Sequence, residues 1–293
     1  MKSLTINELN QLKPLEVLDN ELVKERFINL HKGVHNNELG ENFYQKEVHN
    51  FRKLILASKD LQQCTGFSIY GCLIDIATMG LSLDNLSKPL LYVLPHNVKV
   101  AENKYEKRAK LDISPYGELA LRMQAGQVSH VDKPCVVYQG DSFQPYVKNG
   151  IKSVDYMPKI PRASKNIIAC FIGITRPDGT RDFYWMLEED INRLKSYSAR
   201  KNKGEANSLY NSANGGIDSG FLEAKTIKHA FSCFPKIKVG QFSQISNEEI
   251  DPVVYGLNEE IKPENLSDKV GSFVEYQEDE SETLTINDDS DIF

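Results

Sequence analysis

IIACFIGITRPDGTRDFYWMLEEDINRLKSYSARKNKG, residues 167–204, decides the fold class. It opens on an apolar run of strand length and passes through Pro177-Asp178-Gly179 into a second apolar stretch. Proline presets one turn dihedral, aspartate hydrogen-bonds its own backbone and glycine accepts a positive φ, so the segment predicts a β-hairpin. In the stretch that follows, Leu187, Ile191 and Leu194 share one face at helical spacing. Glu188, Glu189 and Asp190 crowd its start, and Arg193, Lys195, Arg200 and Lys201 fill its end. That order of charge suits the helix macrodipole. A hairpin running straight into a helix points to an α+β class rather than a doubly wound parallel sheet.

Upstream, HVDKPCVVYQGDSFQPYV reads as further strands, and SPYGELALRMQAGQV as a short helix from Pro115 that stops at Gly126. PLLYVLPHNVKVAE is β-rich with Pro95 expected to break it, and NKYEKRAKLDIS reads as a strand reached through a basic turn. SIYGCLIDIATMGLSLD predicts a helix with Ser68 as N-cap and Gly80 as stop, burying Ile69, Cys72, Leu73, Ile76 and Met79. The first sixty or so residues are helical in character, with Leu15, Leu18, Leu22, Phe27 and Leu30, then Phe43, Val48, Phe51, Leu54 and Ile55, at helix-like spacing. Downstream, residues 202–220 form a Gly/Ser/Asn-rich loop, and SGFLEAKTIKHAFSCFPK a last helix. The expected architecture is a helical N-terminal region, an antiparallel hairpin and sheet core packed with helices, and a disordered acidic C-terminal tail.

The net charge of −6 hides an asymmetry. Residues 247–293 hold 15 acidic groups against two lysines, a net of −13, so residues 1–246 carry +7. A basic body with an acidic tail suits a nucleic-acid binder, the tail either competing with DNA or docking partner proteins. No apolar run approaches membrane-spanning length, and MKSLTINELNQLK lacks the apolar stretch of a signal peptide, so the expected location is the cytoplasm. Cys64, Cys72, Cys135, Cys170 and Cys233 form no CxxC pair and read as reduced, mostly buried thiols.

Motifs for catalysis are missing. The nearest approach to a phosphate-cradling loop is SGFLEAKT, residues 219–226, which has Ser219 and Ala224 where glycines are required. His31 and His35 are four apart, but without further ligand spacing they read as two partly exposed histidines. The acidic trio at residues 188–190 is explained by its place at a helix start, so Mg²⁺ is not indicated. What stands out is cations interleaved with aromatics: NVKVAENKYEKRAK, MPKIPRASKN beside Tyr156, TRPDGTRDFYW, and SYSARKNKG. Cations attract phosphates by counterion release, and aromatic rings stack bases of any sequence.

The succession CLIDIATMGLSLD, PLLYVLPHNVKV, a basic stretch, LDISPYGELALRMQAGQV, VVYQGDSFQP, IIACFIGITRPDGTRDFYWMLEEDINRLKSYS and FLEAKTIKHAFSCFP resembles the RecT family of phage single-strand annealing proteins, in register over residues 62–237. The resemblance implies ATP-independent annealing of complementary DNA strands in recombination by a non-catalytic protein that assembles into rings or helical filaments. It implies no cofactor, and as partners single-stranded DNA, the annealed duplex, an exonuclease and, as a further candidate, a host single-strand binding protein. It also narrows the cytoplasm to that of a bacterial host. Candidate DNA contacts beside matched motifs are Tyr116, Arg122, Lys225 and Lys228; Lys107, Arg108, Lys110, Arg181, Arg200 and Lys201 are added on local charge. Where family members carry adjacent arginines, this chain has Arg122 followed by Met123-Gln124. The expected organisation is a helical region at 1–61 serving oligomerisation, an annealing core at 62–246 and the acidic tail at 247–293. A sequence-nonspecific single-strand protector is the alternative reading, and a metal-dependent nuclease a third.

Overall fold

The computed structural model describes residues 4–84, 88–102, 104–201, 204–212 and 216–235. The acidic tail at 247–293, and its expected disorder, lie outside the described residues.

The N-terminal half is built around the apolar run at residues 66–79. Among the described residues, the α-helices here are, in chain order, α1 (Ile6–Gln11), α2 (Pro14–Leu18), α3 (Glu21–His35), α4 (Gly40–Ala57) and α5 (Gly66–Met79). In α5 every residue except Thr78 is buried, not just the expected stripe. A helix that is apolar all round must be enclosed, and α1, α2 and α3 pack on it from one side and a β-ribbon from the other. Gly80 ends it with φ +66, as expected of a C-cap glycine. The N-cap is Thr65, whose hydroxyl accepts from the Ser68 N–H at 3.4 Å. Ser68, the expected cap, instead sits inside the first turn, where its own hydroxyl donates to the Thr65 carbonyl at 2.8 Å.

The helical N-terminal region is as expected, with a break where Asn20 Oδ1 accepts from the N–H groups of Leu22 and Val23 and starts α3 afresh. Val23 and Phe27 are buried, while Leu22 and Leu30 are only partly covered. His31 is a correction: it is buried, not partly exposed, lying 4.7 Å from Phe43 ring to ring. Burial lowers its pKa, which keeps the ring neutral. The core cluster of this half runs from Leu9 to Leu121, so residues on both sides of position 61 share it.

Strands β1 (Leu91–Ala101) and β2 (Lys104–Ile113) form that ribbon. Pro95 was expected to break β1, yet the strand runs through it, opposite Ala109. The Ala109 N–H points away from β1, donating to Ser68 Oγ at 2.9 Å. Pro95 therefore occupies a non-hydrogen-bonded position of the pair, and its nitrogen faces the free edge of a two-stranded ribbon, where no donor is missed. Next comes α6 (Pro115–Gln124), capped by Ser114, whose hydroxyl accepts from the Gly117 N–H at 3.0 Å.

The second half contains β3 (His130–Val131), β4 (Cys135–Tyr138), β5 (Ser142–Lys148), β6 (Ile151–Met157), β7 (Ile167–Thr175) and β8 (Arg181–Leu187), then α7 (Glu188–Lys201) and α8 (Ser219–Phe231). All the strand pairings are antiparallel. The predicted hairpin is β7–β8, closed by Arg176 N–H donating to the Thr180 carbonyl at 2.8 Å. Because β8 covers one edge of β7 along residues 169–175, β3 and β4 share the other edge. Cys170, Ile172 and Ile174, with Tyr184 and Met186 opposite them, form one face, and α8 covers it with Leu222, Ile227, Ala230 and Phe231. Within the expected loop at 202–220, Tyr210 and Ile217 are buried against this same core. Burial pushes the Cys64 thiol up to about 11 and the Cys170 thiol up to about 12, so both stay protonated.

Candidate nucleic-acid interface

Side chains alternate along a strand, so the residues between those facing α8 lie on the opposite side of the β7–β8 sheet. In register they pair Phe171 with Trp185, Gly173 with Phe183 and Thr175 with Arg181. The β5–β6 hairpin leans on this side. Its cross-strand partners Phe143 and Tyr156 straddle Phe171, with ring centroids at 5.7 Å (stacked) and 5.3 Å (edge-on). Phe183 continues the row, 6.3 Å from Phe171. All five aromatic rings, Trp185 included, are half-buried.

Asp141 fixes the hairpin's seat. Its carboxylate accepts from the Lys159 N–H at 2.9 Å, and from the Tyr138 N–H and the Tyr156 hydroxyl at 3.0 Å each. Those donors, the Lys159 N–H foremost, hold the Asp141 carboxyl below its ordinary value. Burial and then Asp141 push the Tyr156 hydroxyl well up, so it remains a donor. At the far end, Arg181 pairs with Asp132 across the sheet surface. The pair lies directly over Gly173, where an added Cβ would meet Asp132 Oδ2 at 2.3 Å. An added side chain there would have to push this pair aside, and the guanidinium lies 5.1 Å from the Phe183 ring centre.

Exposed cations lie on the β5–β6 hairpin and in the segment that follows it. Lys152 Nζ stands 5.5 Å from the Trp185 ring centre and the Arg162 guanidinium 3.7 Å from that of Tyr138. Lys148, Lys152, Lys159, Arg162 and Lys165 are all exposed and form no ion pair among the described residues. Exposed cations near half-buried aromatic rings can neutralise a phosphate backbone while its bases stack on the rings' open parts.

The basic β-ribbon differs. Its register places Lys107 on the face with Pro95–Ala109, and Arg108 and Lys110 on the other. Lys107 binds Asp60 at 2.6 Å and Gln63 at 3.0 Å, tying the ribbon to the helical half. Arg108 pairs with Glu106 at 3.2 Å and Lys110 with Asp112 at 2.9 Å. Much of this charge is answered internally.

Comparison with protein families matches residues 46–214, more than half of the 293, to the RecT family. The chain belongs to the RecT family. No curated protein matches it. The family match runs from within α4 to just past the 3₁₀ turn at Ser208–Tyr210. It therefore starts ahead of residue 62, where the resemblance began, and stops short of α8, which carries Lys225 and Lys228.

In this RecT-family fold the candidate contacts separate into groups. Arg181 lies on the aromatic face. Arg200 is exposed near the end of α7, 4.4 Å from the Tyr197 ring centre, and Lys201 ends that helix, its side chain outside the described residues. Tyr116 is half-buried on α6 with Lys88 over its ring at 4.5 Å. Lys225 and Lys228 are half-buried on α8, Lys225 lying 5.2 Å from the Phe221 ring centre. Arg122 is buried. It binds Glu118 at 2.5 Å, Gln127 at 2.7 Å and the Pro235 carbonyl at 3.1 Å, against the rings of Phe231 and Phe234. The stretch nearest to a phosphate loop folds as the first turns of α8, with Thr226 buried and donating to the Leu222 carbonyl at 2.9 Å. The glutamates and aspartate at 188–190 open α7, Asp190 accepting from the Leu187 N–H at 3.1 Å. Among the described residues no three His, Cys, Asp or Glu are placed to hold a metal, and no helix is long and apolar enough to cross a membrane.

Phe143, Phe171, Lys148 and Lys152 were missed. Asn149-Gly150 was the available signal: both residues have positive φ (53° and 79°) and make the tight turn of β5–β6. Phe171 gave no signal of its own, because inside an apolar run a stacking ring reads as core.

Proposed function

We propose that this RecT-family protein binds single-stranded DNA and anneals it to its complement without ATP, acting in recombination as a non-catalytic protein. Its membership of the family carries this reading. The aromatic row supports it, together with exposed cations on the adjoining hairpin that form no ion pair among the described residues, because a strand laid there has its phosphates neutralised and its bases held open. Pairing supplies the driving force, since each base-pair step is worth about 1.4 kcal/mol. A nucleotide motor is unnecessary on that account, and neither Mg²⁺ nor another cofactor is invoked. The protein acts as a homo-oligomer, a ring or helical filament, through the helical region at 1–61, with 62–246 as the annealing core. It works in the bacterial cytoplasm beside an exonuclease that exposes single strands, and beside a host single-strand binding protein.

Mixing complementary labelled oligonucleotides with the protein, without nucleotide, tests this. Duplex should form faster than in buffer alone. Tight single-strand binding with no acceleration would favour the protector reading, and loss of a labelled strand only with Mg²⁺ would favour a nuclease.

A further inference from the structure

The described chain leaves the fold at a fixed place. After α8, the Phe234 N–H donates to the Phe231 carbonyl at 3.0 Å, and Phe234 is buried against Phe231 and Tyr184. Arg122 and Gln127 both donate to the Pro235 carbonyl, at 3.1 and 3.4 Å. Arg176 lies over the Phe234 ring, 5.0 Å from its centre, and pairs at 3.3 Å with Asp182, the neighbour of Arg181. Residue 235 is thus clamped at the turn end of β7–β8, on the α8 side of the sheet and across it from the Arg181 end of the aromatic row.

Eleven residues, 236–246, separate this clamp from the acidic segment. Extended, they reach up to about 36–40 Å, enough to carry residues 247–293 around the sheet edge. That segment's net charge of −13 opposes a body of net +7. Lys148 and Lys152 on the β5–β6 hairpin, with Lys159, Arg162 and Lys165 in the segment after it, are exposed and without ion pairs among the described residues, and they are the complementary surface.

We infer that residues 247–293 dock on this face in the absence of DNA and occupy it as an internal substitute for the phosphate backbone. The inference rests on the single-strand reading of the face and adds its regulation. Tethering sets the tail's local concentration at roughly millimolar. A tail–face dissociation constant of about 0.1 mM would then weaken DNA binding about tenfold at low salt. A DNA strand, with a longer and denser run of charge, displaces the tail once several cations are engaged together. Free protein is thereby kept off brief single-stranded gaps.

The test uses the full-length chain and a second full-length chain whose tail aspartates and glutamates are replaced by asparagine and glutamine. Neutralisation should tighten oligo-dT binding about tenfold at low salt, the difference closing as salt is raised. In the unaltered protein without DNA, zero-length carboxyl–amine crosslinking should join tail acids to Lys148, Lys152, Lys159 or Lys165, and oligo-dT should abolish those links. Unchanged affinity, with links scattered or directed elsewhere, would overturn the docking. Links on these lysines that oligo-dT does not displace would uphold the docking but overturn the single-strand reading of the face.

Discussion

Arg122 shows how a cation inside a matched motif can serve the fold. Its guanidinium joins α6 to the end of α8 through Glu118, Gln127 and the Pro235 carbonyl, with aromatic rings alongside. Arg122→Ala removes those bonds together. Because Glu118 is partly exposed and can regain water, the loss should be about 2–3 kcal/mol, below that of a fully buried pair. Urea denaturation would check it. Glu47 offers a second residue-scale prediction. Fully buried, it accepts from Ser82 Oγ at 2.6 Å and the Leu83 N–H at 2.7 Å, fixing the chain just after α5. Burial outweighs those donors and raises its pKa above 4.5, so the folded state holds the proton more tightly than the unfolded chain. The stabilisation is complete below about pH 4.5 and is lost as pH rises through the folded value. Glu47→Gln keeps the shape and can satisfy both partners. Its stability should match or exceed that of the parent at pH 7, with a flatter profile between pH 4.5 and 7.

At the scale of elements, the aromatic row requires two hairpins, β7–β8 for the platform and β5–β6 for the rings beside Phe171. Phe183→Leu keeps most of the apolar area but removes the ring under Arg181. Single-strand affinity should fall about fivefold or more, since base–aromatic stacking is worth about 1–3 kcal/mol, with stability changed by less than about 1.5 kcal/mol. Fluorescence anisotropy and a melting curve would separate the two effects. Helix α5, the β7–β8 hairpin and α7 were legible because each carries a strong local signal: an apolar run stopped by Gly80, the Pro177-Asp178-Gly179 turn, and an acidic helix start. The passage of β1 through Pro95 was not, because whether a strand misses an N–H depends on which edge its partner takes. The cap of α5 was misplaced by three residues because Thr65 and Ser68 are chemically equivalent caps, and only the start of the helix distinguishes them. In the candidate site, the charge clusters around Tyr156 and the 176–185 turn were legible one at a time. Their convergence on Phe171 is a property of the sheet register.

On the scale of the whole molecule, the cations divide by whether they have carboxylate partners. Lys107, Arg108, Lys110 and Arg122 are engaged internally, whereas Lys148, Lys152, Lys159, Arg162 and Lys165, on the β5–β6 hairpin and the segment after it, are exposed and without ion pairs among the described residues. That division is why we propose the β7–β8 face, rather than the more basic-looking ribbon, as the place of the strand. The most direct test is photocrosslinking of a bromodeoxyuridine-substituted single strand to the full-length protein, with the attached peptides mapped by mass spectrometry. Crosslinks should concentrate on Phe143, Tyr156, Phe183 and Trp185. Crosslinks confined to the β1–β2 ribbon or to α7, leaving those rings unlabelled, would contradict the assignment.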